Sequence, residues 1–194
     1  MANQSHKYPD GFSVNEVVKK NGARYSLVLN TPTPDAKLTL FVLMMNPSSA
    51  DGEDSDPTVN KLLRTLGASG KYKKVVIVNT TPIIETDSDN LKNRQAEINK
   101  LAMVNASTVA KQVKLAGHFH FLVATGLIKK GVNDKSYVAL MDQIDQQTTG
   151  DGLYVVDLTK DDYGKHPLYT KDDDVRNLKW VSKADAQWHL KLHA

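Results

Sequence analysis

Apolar positions recur along this chain with two different periods, and the places where the period changes outline its elements. Arg24–Asn30 alternates as a strand does, and Thr31-Pro-Thr-Pro34 breaks it. Lys37–Met45 is a near-continuous apolar run, the pattern of a central strand buried on both faces, and it is placed to pair with the first as a hairpin. From Asp56 the period lengthens. Val59, Leu62, Leu63 and Leu66 recur at helical spacing behind Asp56 as N-cap and Pro57 at the first helical position, with Gly67 near the end. There follow a strand over Lys73–Asn79, a long helical stretch over Leu91–Gly117, a strand over Phe119–Thr125 closed by Gly126, a helix over Asp134–Gln147 and a strand over Leu153–Leu158. A short helix over Ser182–Leu190 closes the chain. Residues 1–22 carry only a weak apolar pattern at Phe12, Val14, Val17 and Val18, and read as an N-terminal arm before a single domain of residues 23–194, with regular structure starting at Arg24.

Four apolar strands separated by helices predict an α/β fold of three layers, a mostly parallel central sheet with helices on both faces and Arg24–Asn30 as an antiparallel edge. Ligands of such sheets bind beyond the carboxyl ends of the strands. The segments after Met45, Val78, Thr125 and Leu158 are therefore expected to gather on one rim, far apart in sequence though they are.

Composition changes this picture in three respects. At 194 residues and 40% hydrophobic content, the chain can bury a sizeable core. Its longest apolar run, Leu38–Met45, is too short to cross a bilayer, and the opening residues lack the apolar middle of a signal peptide, so a cytoplasmic protein without a membrane partner is expected. The absence of cysteine excludes disulfides, thiolate metal sites and cysteine nucleophiles, leaving oxygen and nitrogen groups to do any chemistry; no motif calls for a cofactor. A net charge of +3 permits a phosphate ligand without marking a dedicated nucleic-acid binder.

Three rim segments carry directional polar groups. Met45-Asn46-Pro47-Ser48-Ser49-Ala50-Asp51 crowds an amide, two hydroxyls and a carboxylate into one turn, although such residues also make turns by bonding to their own backbone. Val78-Asn79-Thr80-Thr81-Pro82 ends an apolar strand on an asparagine, which donates and accepts at once and so matches the mixed edge of a pyrimidine-like ring. Gly164-Lys165-His166-Pro167-Leu168-Tyr169 supplies a histidine on a backbone fixed by proline. Other groupings compete. Asp51, Glu53, Asp54 and Asp56 either hold a divalent ion for phosphate chemistry or open a helix. His118 with His120, and His189 with His193 if the tail is helical, are candidate metal pairs, and Gly126 with Lys129 and Lys130 is a phosphate-loop pattern lacking Walker spacing.

Taken together, Arg24-Tyr25, the Met45–Asp51 turn, Asp56-Pro57-Thr58, the Val78-Asn79 strand end and His166-Pro-Leu-Tyr169 resemble the bacterial family of unknown function DUF1643 over roughly residues 24–170, which implies no activity. Asn46-Pro47, Asn79-Thr80 and His166-Pro167 are also similar, more distantly, to the three ordered motifs of the uracil-DNA glycosylase superfamily. That resemblance implies a glycosylase-like fold in which Asn46 positions the attacking water, Asn79 reads the base edge and His166 stabilises the departing base. Asp51 or Asp56 would assist, and Arg24, Pro47, Ser48, Thr80 and Tyr169 would complete the binding site. The expected partner is a nucleobase, nucleoside or nucleotide. Nucleic acid is a further candidate, single-stranded rather than duplex because Asp172-Asp-Asp174 follows the histidine segment. Two alternatives stay open: a non-catalytic module for a nucleotide-like ligand or protein partner, and a metal-assisted phosphate hydrolase.

Overall fold

The run from Lys37 to Met45 has no polar face to offer water, and it becomes the strand around which the molecule is built. In the computed structural model, which describes residues 6–48, 50–148 and 152–193, this strand is β3 (Leu38–Met44). It is flanked by β4 (Tyr72–Asn79) on one side and β5 (Phe119–Val123) on the other, both parallel to it, and β6 (Leu153–Val155) adds a further parallel neighbour. The helices are α1 (Pro57–Thr65), α2 (Gln95–Ala116), α3 (Asp134–Thr148) and α4 (Asp172–Arg176). Because a strand sends alternate side chains to opposite faces, β3 feeds two cores. Leu40 and Val42 pack with Val59, Leu62 and Leu63 of α1 and Val175 of α4, while Phe41 and Leu43 pack with Val109 and Val113 of α2 and Leu140 and Ile144 of α3. Helices thus cover both faces, and each buried leucine or isoleucine contributes roughly 1.5–3 kcal/mol to holding them there.

The sheet departs from expectation at its margins. Its order is β1-β2-β4-β3-β5-β6-β7-β8, with β1 (Ser13–Lys20), β2 (Ala23–Asn30), β7 (Lys179–Lys183) and β8 (Leu190–Leu192) all joined antiparallel. Antiparallel pairings outnumber parallel ones by four to three among the described residues, so the sheet is mixed rather than mostly parallel. Regular structure begins at Ser13, inside the expected arm. Arg24–Asn30 is not the edge, because β1 covers it, and it pairs with β4 instead of forming a hairpin with β3. The expected closing helix over Ser182–Leu190 is a β7–β8 hairpin, in which Ala184 N–H donates to His189 O at 2.7 Å and Asp185 turns the chain by accepting from the amides of Gln187 and His189. That hairpin drives Trp188 wholly into the α2–α3 core, with its Nε1 donating to Asp142 at 2.7 Å, a tertiary gain that outweighs local helical preference. Among the described residues, no helix is long and apolar enough to cross a membrane.

Candidate functional site

The chain leaves β3 for β4 on one side and later reaches β5 on the other, and at the carboxyl ends of such diverging strands the connections separate and leave a crevice. A cavity of about 490 Å³ opens there. Asn46 from the β3 end, Asn79 from the β4 end and His166 from the loop beyond β6 all line it, as do Arg24, Ser48 and Tyr169. Met44, Asp56, Thr58, Thr125, Leu127 and Lys129 complete most of its wall.

Each group is held by identifiable bonds. Thr80 N–H donates to Met44 O at 2.9 Å, extending the β3–β4 ladder past its end, and Asn105 of α2 donates through Nδ2 to Asn79 O at 2.8 Å. These fix the Asn79 backbone while its side chain, 1% exposed, has no hydrogen bond at Oδ1 or at Nδ2. Asn46 Nδ2 donates to the carbonyls of Glu85 and Pro47, which leaves Oδ1 as the atom it can present to a ligand. Arg24, 2% exposed, donates through Nη1 to Ala50 O and has no partner at Nε; burial lowers its pKa, opposed chiefly by the nearby Asp56 carboxylate. His166 lies where the 158–164 turn tucks against β5, with Gly126 N–H donating to Gly164 O at 2.9 Å. Its Nδ1 is buried without a partner, and burial lowers its pKa, with Asp56 pulling the other way, so the ring is neutral near pH 7.

Three expected site residues lie elsewhere. Asp51 does not line the cavity, since its Oδ1 accepts from the amides of Glu53 and Asp54 at 2.9 and 3.1 Å, and these bonds hold its carboxyl below the usual range. Pro47 lies behind the wall, its carbonyl accepting from Glu85 N–H at 3.0 Å. Thr80 is wholly buried and spends its hydroxyl on Met45 O at 2.6 Å. Ser49 falls outside the described residues. Of the acidic residues in this segment, Asp56 does line the cavity; it accepts from Val59 N–H at 2.8 Å as the α1 cap and from the Ser48 hydroxyl, and Glu85 is a second acidic residue in the lining. A cap of this kind is worth about 1 kcal/mol.

Asp51, Glu53, Asp54 and Asp56 do not form a group that could hold a metal ion, nor does any other set of three or more such residues among those described. His120 instead meets the Tyr72 hydroxyl at 2.9 Å, His189 pairs with Asp185 at 2.6 Å, and His193 stacks on Trp180. Lys129 reaches the cavity paired with Asp89. Sequence reading passed over Glu85 and Asn105; Glu85 carried no signal, whereas an asparagine on the buried α2 face beside Ala106 and Val109 was one.

Burial also depresses the pKa of His120, with Lys71 adding to the effect. Below the ordinary value of 6.5 the unfolded chain therefore binds protons that folded His120 and His166 refuse. Stability is expected to fall as the pH drops through that value and to level off below the folded-state pKa values. Urea unfolding at steps from about pH 7.5 to pH 5 measures it, and a flat profile would contradict the depressed pKa values.

The family model described as "Protein of unknown function (DUF1643)" matches residues 24–168, which reaches from the buried arginine of β2 to the loop bearing the site histidine. No curated protein matches the chain.

Proposed function

From the chain's membership of the DUF1643 family, which assigns no activity, and from the site itself, we propose that the cavity binds a nucleobase, free or carried by a nucleoside or nucleotide. Asn79 carries this reading. A buried amide with both ends unpaired costs on the order of 1–3 kcal/mol for each missing bond, and a planar ring edge with a donor beside an acceptor satisfies both at once. Unpartnered Nδ1 of His166, in the same cavity, adds a second group with a hydrogen bond to make.

Hydrolysis of the N-glycosidic bond extends the proposal. Water would bond to the sugar carbon as the base departs with the electron pair of the broken bond, and the water's proton would end on the base. Neutral His166 would donate to the base oxygen as charge grows there, Asn46 Oδ1 would orient the water, and Asp56, which lines the cavity where Asp51 does not, would assist. The distant resemblance to uracil-DNA glycosylases, carried by Asn46, Asn79 and His166, supports this reading. The rival is a non-catalytic module binding the same ligand.

Calorimetry with a panel of bases, nucleosides and nucleotides is expected to find uracil-like ligands among the binders, with Asn79→Ala weakening them by about 1–3 kcal/mol. Incubation with uracil-containing DNA tests the reaction, with single strands expected to react better than duplex beside Asp172, Asp173 and Asp174. Binding without base release would leave the module reading. Failure of every ligand to bind would end both.

A further inference from the structure

The other end of the sheet holds a second pocket, of about 480 Å³, which the reading above does not use. It forms where Tyr72 opens β4, His120 lies near the start of β5 and Tyr154 stands in β6, with Arg64, Thr65 and Leu66 at the end of α1 and Arg176 at the end of α4 closing it over. Its charged lining is of one sign: Arg64, Lys71 and Arg176, with no carboxylate among the lining residues. Arg64 and Lys71 have no ion pair among the described residues, and Arg176 meets Asp173 through Nη1 at 3.0 Å, a carboxylate that is 86% exposed and is not among the lining residues. Like charges gathered around a concavity repel one another unless an anion enters between them.

The wall opposite the cations is aromatic. His120 and Tyr154 have ring centroids 4.6 Å apart, and the Tyr72 hydroxyl meets His120 Nδ1 at 2.9 Å. Burial pushes the Tyr72 phenol up to about 12, so it keeps its proton and can donate to Nδ1. With the hydroxyl donating in this way, the imidazole proton would sit on Nε2, as a donor for a ligand. The negative end of α1 is muted, because Ser69 donates to Leu66 O through both its amide, at 3.1 Å, and its hydroxyl, at 2.6 Å.

We propose that this pocket binds a small organic phosphate, its planar ring against Tyr154 and His120 and its phosphate between Arg64, Lys71 and Arg176. Two guanidinium groups and an ammonium match a phosphate's oxygens, and the enclosed volume fits a small molecule rather than the extended basic stripe that a nucleic-acid backbone needs.

Phenyl phosphate is the probe, since it carries the ring and the phosphate but lacks the donor–acceptor edge that Asn79 would read. It is expected to bind in calorimetry and to shift the NMR signals of the His120 ring, with inorganic phosphate binding about tenfold more weakly and phenol not at all. The double variant R64Q/R176Q, altered only at exposed positions, should weaken phenyl phosphate about a hundredfold, and Lys71→Gln about tenfold. Asn79→Ala, at the far end of the sheet, should leave it unchanged. The proposal is overturned if the ester leaves the His120 signals unmoved, if the double variant binds it as tightly as the parent chain, or if inorganic phosphate binds equally well.

Discussion

Gly164→Ala is expected to cost about 3 kcal/mol of stability or more, the largest loss from alanine at any described glycine. A Cβ at Gly164 would stand 2.0 Å from the Val123 carbonyl oxygen and 2.7 Å from its carbon, both backbone atoms in the central sheet. Neither side can yield locally. Val123 pairs in register with Leu43 of β3, while Gly164 is tied through its own carbonyl to Gly126 N–H and through a bridge to Leu158. The conflict therefore has to lift the 158–166 segment off the end of β5, which unseats His166 along with it. Gly70 is the control: its φ of 76° is unfavourable for alanine, but nothing lies within 4 Å of an added Cβ, so Gly70→Ala should cost only about 1 kcal/mol. Urea denaturation of the two variants beside the parent chain makes the comparison. A loss at Gly164 no larger than that at Gly70 would mean the backbones do not approach as described.

Apolar runs at Lys37–Met45 and Lys73–Asn79 could be read because strands covered on both faces admit few polar positions, and the change to helical spacing after Asp56 marked α1 with its cap and proline in place. Once strands and helices alternate, the carboxyl-end rule brings Asn46, Asn79 and His166 toward one rim without any knowledge of the loops. The loops themselves were opaque. Nothing in Asp51-Gly-Glu-Asp-Ser-Asp56 says which carboxylate turns inward; that is decided by Asp51 folding back onto the Glu53 and Asp54 amides while Asp56 caps α1 at the cavity wall.

The sheet margins were opaque for a different reason. Strand β1 is mostly exposed and carries register shifts between Val14 and Glu16 and between Val18 and Lys19, and these break the period-2 signal by which a strand is recognised. In the tail, Ala184-Asp-Ala-Gln187 looks helical locally, but the core demands Trp188, which it receives at a backbone φ of 61° that no helix offers. Edges and tails are settled by tertiary contacts, and the central strands by their own composition.

Replacing His166 by alanine is expected to separate chemistry from binding, given the proposed hydrolysis. In the ground state the base oxygen carries little charge, so a hydrogen bond from a neutral imidazole adds little affinity; in the transition state the departing base is anionic, and the same bond strengthens. The loss should therefore fall on kcat, by about 100- to 1,000-fold, while KM changes only a few-fold. Asn79→Ala should act in the opposite sense, mainly on KM, because the base edge is read before and after the bond breaks. Among the carboxylates, Asp51→Asn should leave the rate intact, since Asp51 lies outside the cavity lining with its Oδ1 accepting from the amides of Glu53 and Asp54. Asp56→Asn should slow hydrolysis without unfolding the chain, because asparagine still caps a helix. Single-turnover base release from a uracil-containing strand, measured for all four variants, distinguishes these outcomes. Equal losses in kcat and affinity on removing His166 would reduce its role to binding, and a slow Asp51→Asn beside an intact Asp56→Asn would reverse the assignment of the carboxylates.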